Sequence, residues 1–202
     1  MIESLLGPDS VVLEAGAADG NDTVKLAGLR GGSVHVVALE PVPVAFGRFR
    51  ESTAHVSNVR AMQFAVSSES GEVGMWESVG AGGIDSSSIL NPATHGQFFS
   101  DVSFTSKIRV QCFTIDDLLS RIGLPGFDFM WLDLQGLEFN VLAASPRARS
   151  QIKAIYMEVS RQRPYAGGPT YRQVIDRMTR WGFSAIHERV GAVSGNISFS
   201  RQ

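Results

Sequence analysis

An acidic, glycine-containing turn follows the first apolar run of the chain. The segment "VVLEAGAADG" (residues 11–20) places Glu14, Gly16, Asp19 and Gly20 at the end of a strand-like stretch. A dinucleotide site would need the spacing G-x-G-x-x-G, whose glycines let the backbone approach a pyrophosphate. Here Glu14 stands two residues before Gly16, where its carboxylate would repel a pyrophosphate but would suit an ammonium group. The turn therefore favours S-adenosylmethionine, while a turn whose glycines serve only its geometry remains the alternative.

A second acid, Glu40, ends the next apolar run, "VHVVALEP" (residues 34–41). It lies about two dozen residues after the glycine turn, the spacing at which an acid at a strand end accepts hydrogen bonds from both ribose hydroxyls of a nucleoside. An isolated acid at a strand end is usually only solvated. Together with Glu14 and Gly16, Glu40 indicates a nucleoside ligand, and Glu14 distinguishes a methyltransferase site from a dehydrogenase site.

Two more acids end apolar runs in the second half of the chain. Asp133 follows "FDFMWL" and Glu158 follows "KAIYM", and because these strands should be neighbours, we expect their carboxylates to converge. Either could take the proton of an attacking hydroxyl group, with Glu138 and His95 as further candidates. Glu138 sits in the first turn of a predicted helix, where the helix dipole favours an acid whatever its function. Two carboxylates also suit Mg²⁺, but no third acid is obviously placed, so no metal site is predicted.

Strands and helices alternate along the whole chain. Strands rich in Val, Ile, Leu and Phe that alternate with helices predict a mostly parallel sheet covered on both faces, with ligands at the carboxyl ends of its strands. We therefore predict a three-layer, Rossmann-like α/β fold with a mostly parallel, seven-stranded sheet. A C-terminal antiparallel hairpin is predicted around "GAVSG" (residues 191–195). The segment "VRAMQFAVS" (residues 59–67) is predicted to be one strand.

Two local features concern a helix cap and a loop. Thr114 is predicted to cap the helix of "TIDDLLSRIG", with Asp116 and Asp117 in its first turn. The segment 79–106 is rich in Gly, Ser and Asn and forms the longest predicted loop. Loops of this length inside a domain are more often functional than idle. His95 belongs to it, and a lone histidine in an irregular loop is usually exposed.

The composition excludes several classes of protein. The chain has 202 residues, of which 44% are hydrophobic and 19% charged, as in a globular domain. Its 18 basic and 20 acidic residues form no run of like charge, which argues against binding to nucleic acid or to an anionic membrane. Cys112 is the only cysteine, so no disulfide framework is expected. Because no stretch resembles a membrane span or a signal peptide, we expect one cytoplasmic domain over residues 1–202.

These motifs together resemble the FkbM-type methyltransferases, a branch of the class I S-adenosylmethionine-dependent methyltransferases. The resemblance runs from Val11 to about Ile186 through "LEAGAADG", "ALEP", "FAVSSESGEV", "FTIDDLL", "DFMWLDLQGLEFNVLAAS", "YMEVS" and "RPYAGGPTYRQVIDRMTRWGF". The block "LDLQGLEFNVL" and the last stretch are its most specific parts. Ala18 is a departure, because the family usually has Asn at this place.

The resemblance implies a role for each residue that matches a family motif. Gly16, Ala17 and Gly20 would form the loop beneath the methionine part of the cofactor, S-adenosyl-L-methionine, and Glu14 and Asp19 would serve its polar end. The other implied cofactor-binding residues are Glu40 and Pro41 at the ribose, Ala65 and Val66 at the adenine, Ser86 and Ser87 in the loop "GGIDSSSIL" (residues 82–90) that would close over the cofactor, and Asp133 facing the methyl group.

Three residues are predicted to bind the methyl acceptor, and two to act on it. Glu138, Arg163 and Tyr165 are the predicted acceptor-binding residues, and Asp133 and Glu158 the predicted catalytic ones. Arg163 and Tyr165 belong to "RQRPYAGGPTY", whose Pro and Gly residues indicate a loop. This loop could frame a polar acceptor such as a sugar, or it could be a solvated connection.

The sequence thus predicts an S-adenosylmethionine-dependent methyltransferase that acts on a hydroxyl group of a glycan, glycolipid or secondary metabolite. The alternatives are an N-methyltransferase, another small-molecule acceptor, or a nucleotide-binding relic of the fold without turnover. The chain begins almost at its first strand. We therefore expect the acceptor site either to be open to a large substrate or to be covered by another subunit of a homo-oligomer.

Overall fold

Ten strands and seven α-helices make up the part of the chain that the computed structural model describes, residues 2–80 and 85–201. The strands are β1 (Val11–Ala15), β2 (His35–Leu39), β3 (Val59–Met62), β4 (Ala65–Val66), β5 (Gly71–Gly80), β6 (Val102–Phe113), β7 (Phe129–Leu132), β8 (Ala154–Ser160), β9 (Phe183–Val190) and β10 (Ser194–Arg201). The helices are α1 (Ile2–Leu5), α2 (Asn21–Ala27), α3 (Pro43–Thr53), α4 (Ile115–Ile122), α5 (Glu138–Ala144), α6 (Pro146–Gln151) and α7 (Tyr171–Arg180). Within these two ranges, no helix has the length and apolar character that crossing a membrane would require.

The main sheet has seven strands in the order β3-β2-β1-β7-β8-β10-β9. The first five are parallel, whereas β10 pairs antiparallel with β8 on one side and with β9 on the other. This confirms the predicted fold class and the predicted hairpin. The strand order reverses between β1 and β7, and at such a switch point the loops after neighbouring strands diverge and leave a crevice.

Alternate side chains of the parallel strands are buried on opposite faces of the sheet, because successive residues of a strand point to opposite sides. Val12 of β1 belongs to a core that contains Phe49 of α3. Leu13, the next residue, belongs to the core on the other face, which contains Leu118 of α4 and Val174 of α7. The apolar runs of the sequence thus reflect burial on both faces of a three-layer structure.

A second sheet of three strands, in the order β4-β6-β5, was not predicted from the sequence. The prediction of one strand over residues 59–67 was wrong, because the segment contributes β3 to the main sheet and β4 to the second. Ala65 and Val66 pair with Cys112 and Phe113 of β6, which draws this end of the segment away from β2.

The predicted loop over residues 79–106 is shorter than expected. Strand β5 extends to Gly80 and β6 begins at Val102, and the two strands form a long antiparallel pair. Most of β6 before Val110 is partly or fully exposed, so its side chains do not give the apolar pattern of a buried strand. The prediction of a single domain over residues 1–202 stays a prediction.

Helix α6 was not predicted, because a residue distant in the sequence stabilises its first turn. The carboxylate of Asp116 in α4 accepts hydrogen bonds from the backbone N–H groups of Arg147 (3.0 Å) and Ala148 (2.7 Å). Thr114, in contrast, caps its own helix as predicted, since its hydroxyl oxygen accepts a hydrogen bond from the backbone N–H of Asp117 at 3.1 Å.

The backbones that follow β1 and β7 come into direct contact at Gly16. The N–H groups of Gly16 and Ala17 both donate to the carbonyl oxygen of Leu39 at 3.0 Å, and the N–H of Asp133 donates to Ala15 at 3.0 Å. A Cβ atom on Gly16 would lie 2.0 Å from the carbonyl oxygen of Asp133. Gly16 also has a φ of +91°, a conformation that residues with a Cβ rarely adopt. Space and conformation therefore both require glycine here.

We expect Gly16→Ala to reduce the free energy of unfolding by about 2–4 kcal/mol, because the added methyl group forces two backbones apart and strains φ. Gly47→Ala is the matched control, since a Cβ on Gly47 in α3 would meet nothing within 4 Å. It should raise stability by up to about 1 kcal/mol, because alanine is the better helix former. Denaturant unfolding followed by circular dichroism measures both. Equally small effects of the two changes would contradict the close contact.

Candidate active site

Glu40, Asp133 and Glu158 all lie at the carboxyl edge of the main sheet. Glu40 directly follows β2, and Asp133 directly follows β7. In the parallel pair of β7 and β8, Leu132 lies opposite Met157, so Asp133 and Glu158 are the next residues on neighbouring strands. Carboxylate oxygens of these two residues lie within 4.8 Å of each other, which confirms the predicted convergence.

A cavity, here called the first cavity, opens beyond the ends of β1, β2 and β7. The predicted cofactor-binding residues that line it are Gly16, Glu40, Pro41, Ala65, Val66, Ser87 and Asp133. The other residues of its lining, which were not predicted to bind the cofactor, are Ala15, Ala18, Leu39, Phe64, Met75, Asp85, Ile89, Leu134, Gln135 and Leu137. The cavity therefore has an apolar side near β4 and β5 and an acidic side near Glu40 and Asp133.

Phe64 and Met75 were missed because the second sheet was missed. Phe64 lies between β3 and β4, and Met75 belongs to β5, so both reach the first cavity only because β4, β5 and β6 pack beside it. Asp85 carried no signal either, since it lies in a segment predicted as loop. For Phe64 the sequence offered one signal: it is an apolar residue directly before Ala65, which was predicted to contact the adenine.

The carboxylate of Glu40 is held in place by two backbone N–H groups. Its Oε2 accepts from Ala18 at 2.9 Å and its Oε1 accepts from Val42 at 2.8 Å. Burial raises the pKa of Glu40 to about 7, although these two hydrogen bonds oppose the shift. The residue is 5% exposed and lines the first cavity. Because each carboxylate oxygen has two lone pairs and accepts one backbone N–H here, each retains a lone pair for a ligand.

Glu14 lies behind the lining of the first cavity. Its side chain is buried and accepts a hydrogen bond from the hydroxyl group of Thr23 in α2. Burial above all, together with the negative charges of Asp22 and Asp133, raises the pKa of Glu14 to about 8, although the hydrogen bond from Thr23 opposes the shift. Glu14 thus joins β1 to α2.

Three other residues of the predicted glycine turn, Ala17, Asp19 and Gly20, are also absent from this lining within the described part of the chain. Asp19 accepts hydrogen bonds from the backbone and side chain of Asn21, at 3.1 and 2.6 Å. Gly20 has a φ of +83° at the start of α2, and its N–H donates to the carbonyl oxygen of Ala17 at 2.7 Å. Among the residues that the structure describes, Ala17, Asp19 and Gly20 shape the turn but do not line the first cavity.

A second cavity adjoins the first. The residues that line it are Asp85, Ser86, His95, Phe99, Asp133, Gln135, Glu158, Pro164, Tyr165 and Ser194. Its volume is about 190 Å³. Asp85, Asp133 and Gln135 line both cavities. Of the predicted site residues that the structure describes, Asp133 thus lines both cavities, whereas Ser86, Glu158 and Tyr165 line the second and not the first.

A chain of hydrogen bonds connects the walls of the second cavity. The hydroxyl group of Tyr165 lies 2.8 Å from the carbonyl oxygen of Ser86 and 2.9 Å from Oε1 of Gln135. The amide of Gln135 in turn donates to Oδ1 of Asp133 at 2.6 Å. Gln135 adopts a φ of +54°, which is uncommon for a residue other than glycine and marks a backbone held by its surroundings.

Glu138 joins the pair of Asp133 and Glu158, where the sequence analysis had found no third acid. One oxygen of each carboxylate lies within 4.8 Å of the others. Oε1 of Glu138 also accepts from the backbone N–H groups of Leu134 (2.7 Å) and Gly136 (3.3 Å). Burial raises the pKa of all three acids, that of Glu138 to about 8. Carboxylate oxygens are ligands that Mg²⁺ prefers, and the absence of a metal stays a prediction.

Two predicted site features lie elsewhere or cannot be placed. Arg163 is absent from the lining of both cavities as the described residues form them. Its guanidinium donates to Oε1 of Gln173 at 3.3 Å. The predicted cofactor-covering loop spans residues 82–90, and its part 82–84 lies outside the described residues.

Comparison with known proteins places most of the chain in one family. Residues 14–185 match the methyltransferase FkbM domain. The 2-O-methyltransferase NoeI from Sinorhizobium fredii (strain NBRC 101917 / NGR234) is 29% identical over 201 residues, which cover 98% of this chain and 82% of that protein.

Solved structures share the fold at low sequence identity. Methyltransferase FkbM from Methylobacillus flagellatus KT gives a TM-score of 0.58 at 14% identity over 95% of this chain, which spans 43% of that protein's length. The N-terminal domain of EvdMO1, in the presence of SAH (S-adenosylhomocysteine) and D-fucose, gives 0.53 at 13% identity, with 99% of this chain and 79% of that one covered. Because its family domain covers residues 14–185, the chain belongs to the FkbM methyltransferase domain family and is an S-adenosylmethionine-dependent methyltransferase.

Proposed function

We propose that the protein transfers a methyl group from S-adenosylmethionine to a hydroxyl group of a glycan, glycolipid or secondary metabolite. The observation that carries this proposal is the contact between the two cavities at Asp85, Asp133 and Gln135. A methyl donor in the first cavity and an acceptor in the second would meet at Asp133. Two similar proteins agree with a hydroxyl acceptor, since NoeI is a 2-O-methyltransferase and the EvdMO1 domain was crystallised with D-fucose.

The lining of the first cavity fits S-adenosylmethionine. We place the ribose at Glu40, because each of its oxygens accepts one backbone N–H and keeps a second lone pair for a hydroxyl group. We place the adenine against Phe64, Ala65 and Val66, which supply an apolar wall. The turn after β1 contributes Gly16 and Ala18 to this lining, and we propose that the turn supports the methionine part.

The reaction requires alignment of the acceptor and removal of a proton. S-adenosylmethionine supplies a methyl group on a positively charged sulfur. Holding the acceptor oxygen in line can contribute about 7–11 kcal/mol to lowering the barrier. We propose that Asp133 orients the hydroxyl group and accepts its proton, with Glu158 as the second candidate. Burial raises the pKa of Asp133 toward the neutral range in which a general base works best.

The proposed acceptor class is tested directly with the wild-type protein. We expect S-adenosylhomocysteine to form when the protein is incubated with S-adenosylmethionine and a panel of neutral mono- and oligosaccharides that includes D-fucose. Mass spectrometry should find the added methyl group on an oxygen of the sugar. A panel of primary amines is the matched control, and methylation of amines alone would replace this proposal by N-methyl transfer.

We expect Glu40→Gln to weaken the binding of S-adenosylhomocysteine by about 1–3 kcal/mol, because the neutral amide offers one accepting oxygen instead of two and no charge. Glu51→Gln, which changes an exposed acid of α3, should leave the affinity unchanged. Isothermal titration calorimetry measures both. Unaltered affinity in folded Glu40→Gln would show that the ribose binds elsewhere.

We expect Asp133→Asn to reduce turnover by about 10²–10⁴-fold, because the amide keeps the shape of the side chain but cannot accept the proton. The affinity for S-adenosylhomocysteine and the melting temperature should change little. Wild-type turnover should also decline as the pH falls through the raised pKa of Asp133, since a protonated carboxyl group is no base. Asp176→Asn, an exposed change in α7, is the control.

The outcome of this experiment separates three roles for Asp133. Turnover close to that of the wild type would transfer the role of base to Glu158. A matching loss of stability would indicate that Asp133 supports the fold. Loss of wild-type activity in EDTA, restored by Mg²⁺, would make Asp133, Glu138 and Glu158 metal ligands. We expect EDTA to have no effect.

A further inference from the structure

We propose that His95 binds the methyl acceptor directly, through a hydrogen bond between its imidazole ring and a hydroxyl group of a sugar-like acceptor in the second cavity. The proposal rests on the proposed function and extends it to a residue outside the acids of the sheet edge. The sequence analysis had expected His95 to be exposed.

The imidazole ring of His95 is buried, and one of its two nitrogens, Nδ1, has no hydrogen-bond partner among the described residues. The residue is 2% exposed, and Nδ1 is buried without a partner among the described residues. Buried side-chain nitrogens are normally hydrogen-bonded, so an unpaired one calls for an explanation. Because His95 lines the second cavity, a ligand in that cavity is the partner that would satisfy it.

The ring is held by aromatic neighbours and does not carry a charge. Its centroid lies 4.7 Å from that of Phe99 and 5.1 Å from those of Phe104 and Tyr165. Burial lowers the pKa of His95, so the imidazole is neutral at physiological pH. A neutral imidazole has one nitrogen that donates and one that accepts, and a hydroxyl group can pair with either.

The backbone around His95 is fixed to the far side of the second cavity. The hydroxyl group of Thr94 donates to the carbonyl oxygen of Arg163, and the N–H of Ala166 donates to Asn91 at 2.8 Å. These two bonds join the loop that carries His95 to the loop that carries Tyr165. His95 therefore has a fixed position opposite the sheet edge.

The composition of the second cavity suits a sugar ring. Asp133 and Glu158 supply acceptors on one wall, and His95 supplies a neutral group on another. Phe99 and Tyr165 add aromatic surface between them, against which the C–H face of a sugar can pack. An apolar lining with a few placed polar groups is the usual construction of a small-molecule site.

The test compares His95→Phe with His35→Phe. Phenylalanine retains a ring among the aromatic neighbours of His95 but has no nitrogen. His35 is the control because it is exposed and begins β2, at the end of that strand away from Glu40. We expect His95→Phe to raise the KM for the sugar acceptor about 10-fold or more. Its melting temperature should be unchanged or higher, and its affinity for S-adenosylhomocysteine unchanged. His35→Phe should alter none of these, and His95→Gln, which can still hydrogen-bond, should retain part of the acceptor affinity.

A binding measurement makes the result independent of turnover. Wild-type protein with ¹³C-labelled histidine is saturated with S-adenosylhomocysteine and titrated with D-fucose and the same neutral saccharides. The His95 resonance, assigned by its loss in His95→Phe, should shift in a saturable way, whereas that of His35 should not. If no saccharide shifts the His95 resonance, or if the KM for the sugar acceptor is unchanged in His95→Phe, the proposal is overturned. Failure of the proposed function is distinguishable, because then wild-type protein methylates no saccharide.

Discussion

The close contact between the backbones after β1 and β7 is the constraint on which both cavities depend. With no side chain at Gly16, the turn after β1 can lie against the carbonyl oxygen of Asp133 and still hydrogen-bond to Leu39 beside it. This arrangement brings Ala18 within 2.9 Å of the Glu40 carboxylate and leaves Asp133 on the wall that both cavities share. The positions of Glu40 and Asp133 thus follow from the close packing of the backbones at the carboxyl ends of β1, β2 and β7.

The acids at this edge form no ion pair with any residue in the part of the chain that the structure describes. None of the ion pairs found among the described residues involves Glu14, Glu40, Asp133, Glu138 or Glu158, and burial raises the pKa of each. Burying unpaired carboxyl groups opposes folding, so their concentration at one place is explained better by function than by stability. Bound where we propose, S-adenosylmethionine would supply the missing positive charge through its sulfonium and ammonium groups, and its ribose would supply hydroxyl donors.

What could be predicted from the sequence was set by local pattern, and what could not was set by distant contacts. The apolar runs predicted the main sheet, and the strand ends predicted that Asp133 and Glu158 converge. Helix α6 escaped prediction because its cap, Asp116, belongs to α4. The third acid, Glu138, is aimed at its neighbours by the turn after β7, and no pattern in the sequence encodes that direction. The burial of His95 depends on rings from β6 and from the loop after β8, which only the folded chain brings together.

Ala18 shows how the site tolerates a departure from the family pattern. The residue has a φ of +48°, in the left-handed region that asparagine enters more readily than alanine. The asparagine that the family usually has therefore makes this turn easier to form. The contact that the turn provides to Glu40, however, comes from the backbone N–H of Ala18 at 2.9 Å, which alanine supplies equally well. The change to alanine thus affects the cost of folding the turn, while the carboxylate that faces the first cavity is still held by the backbone.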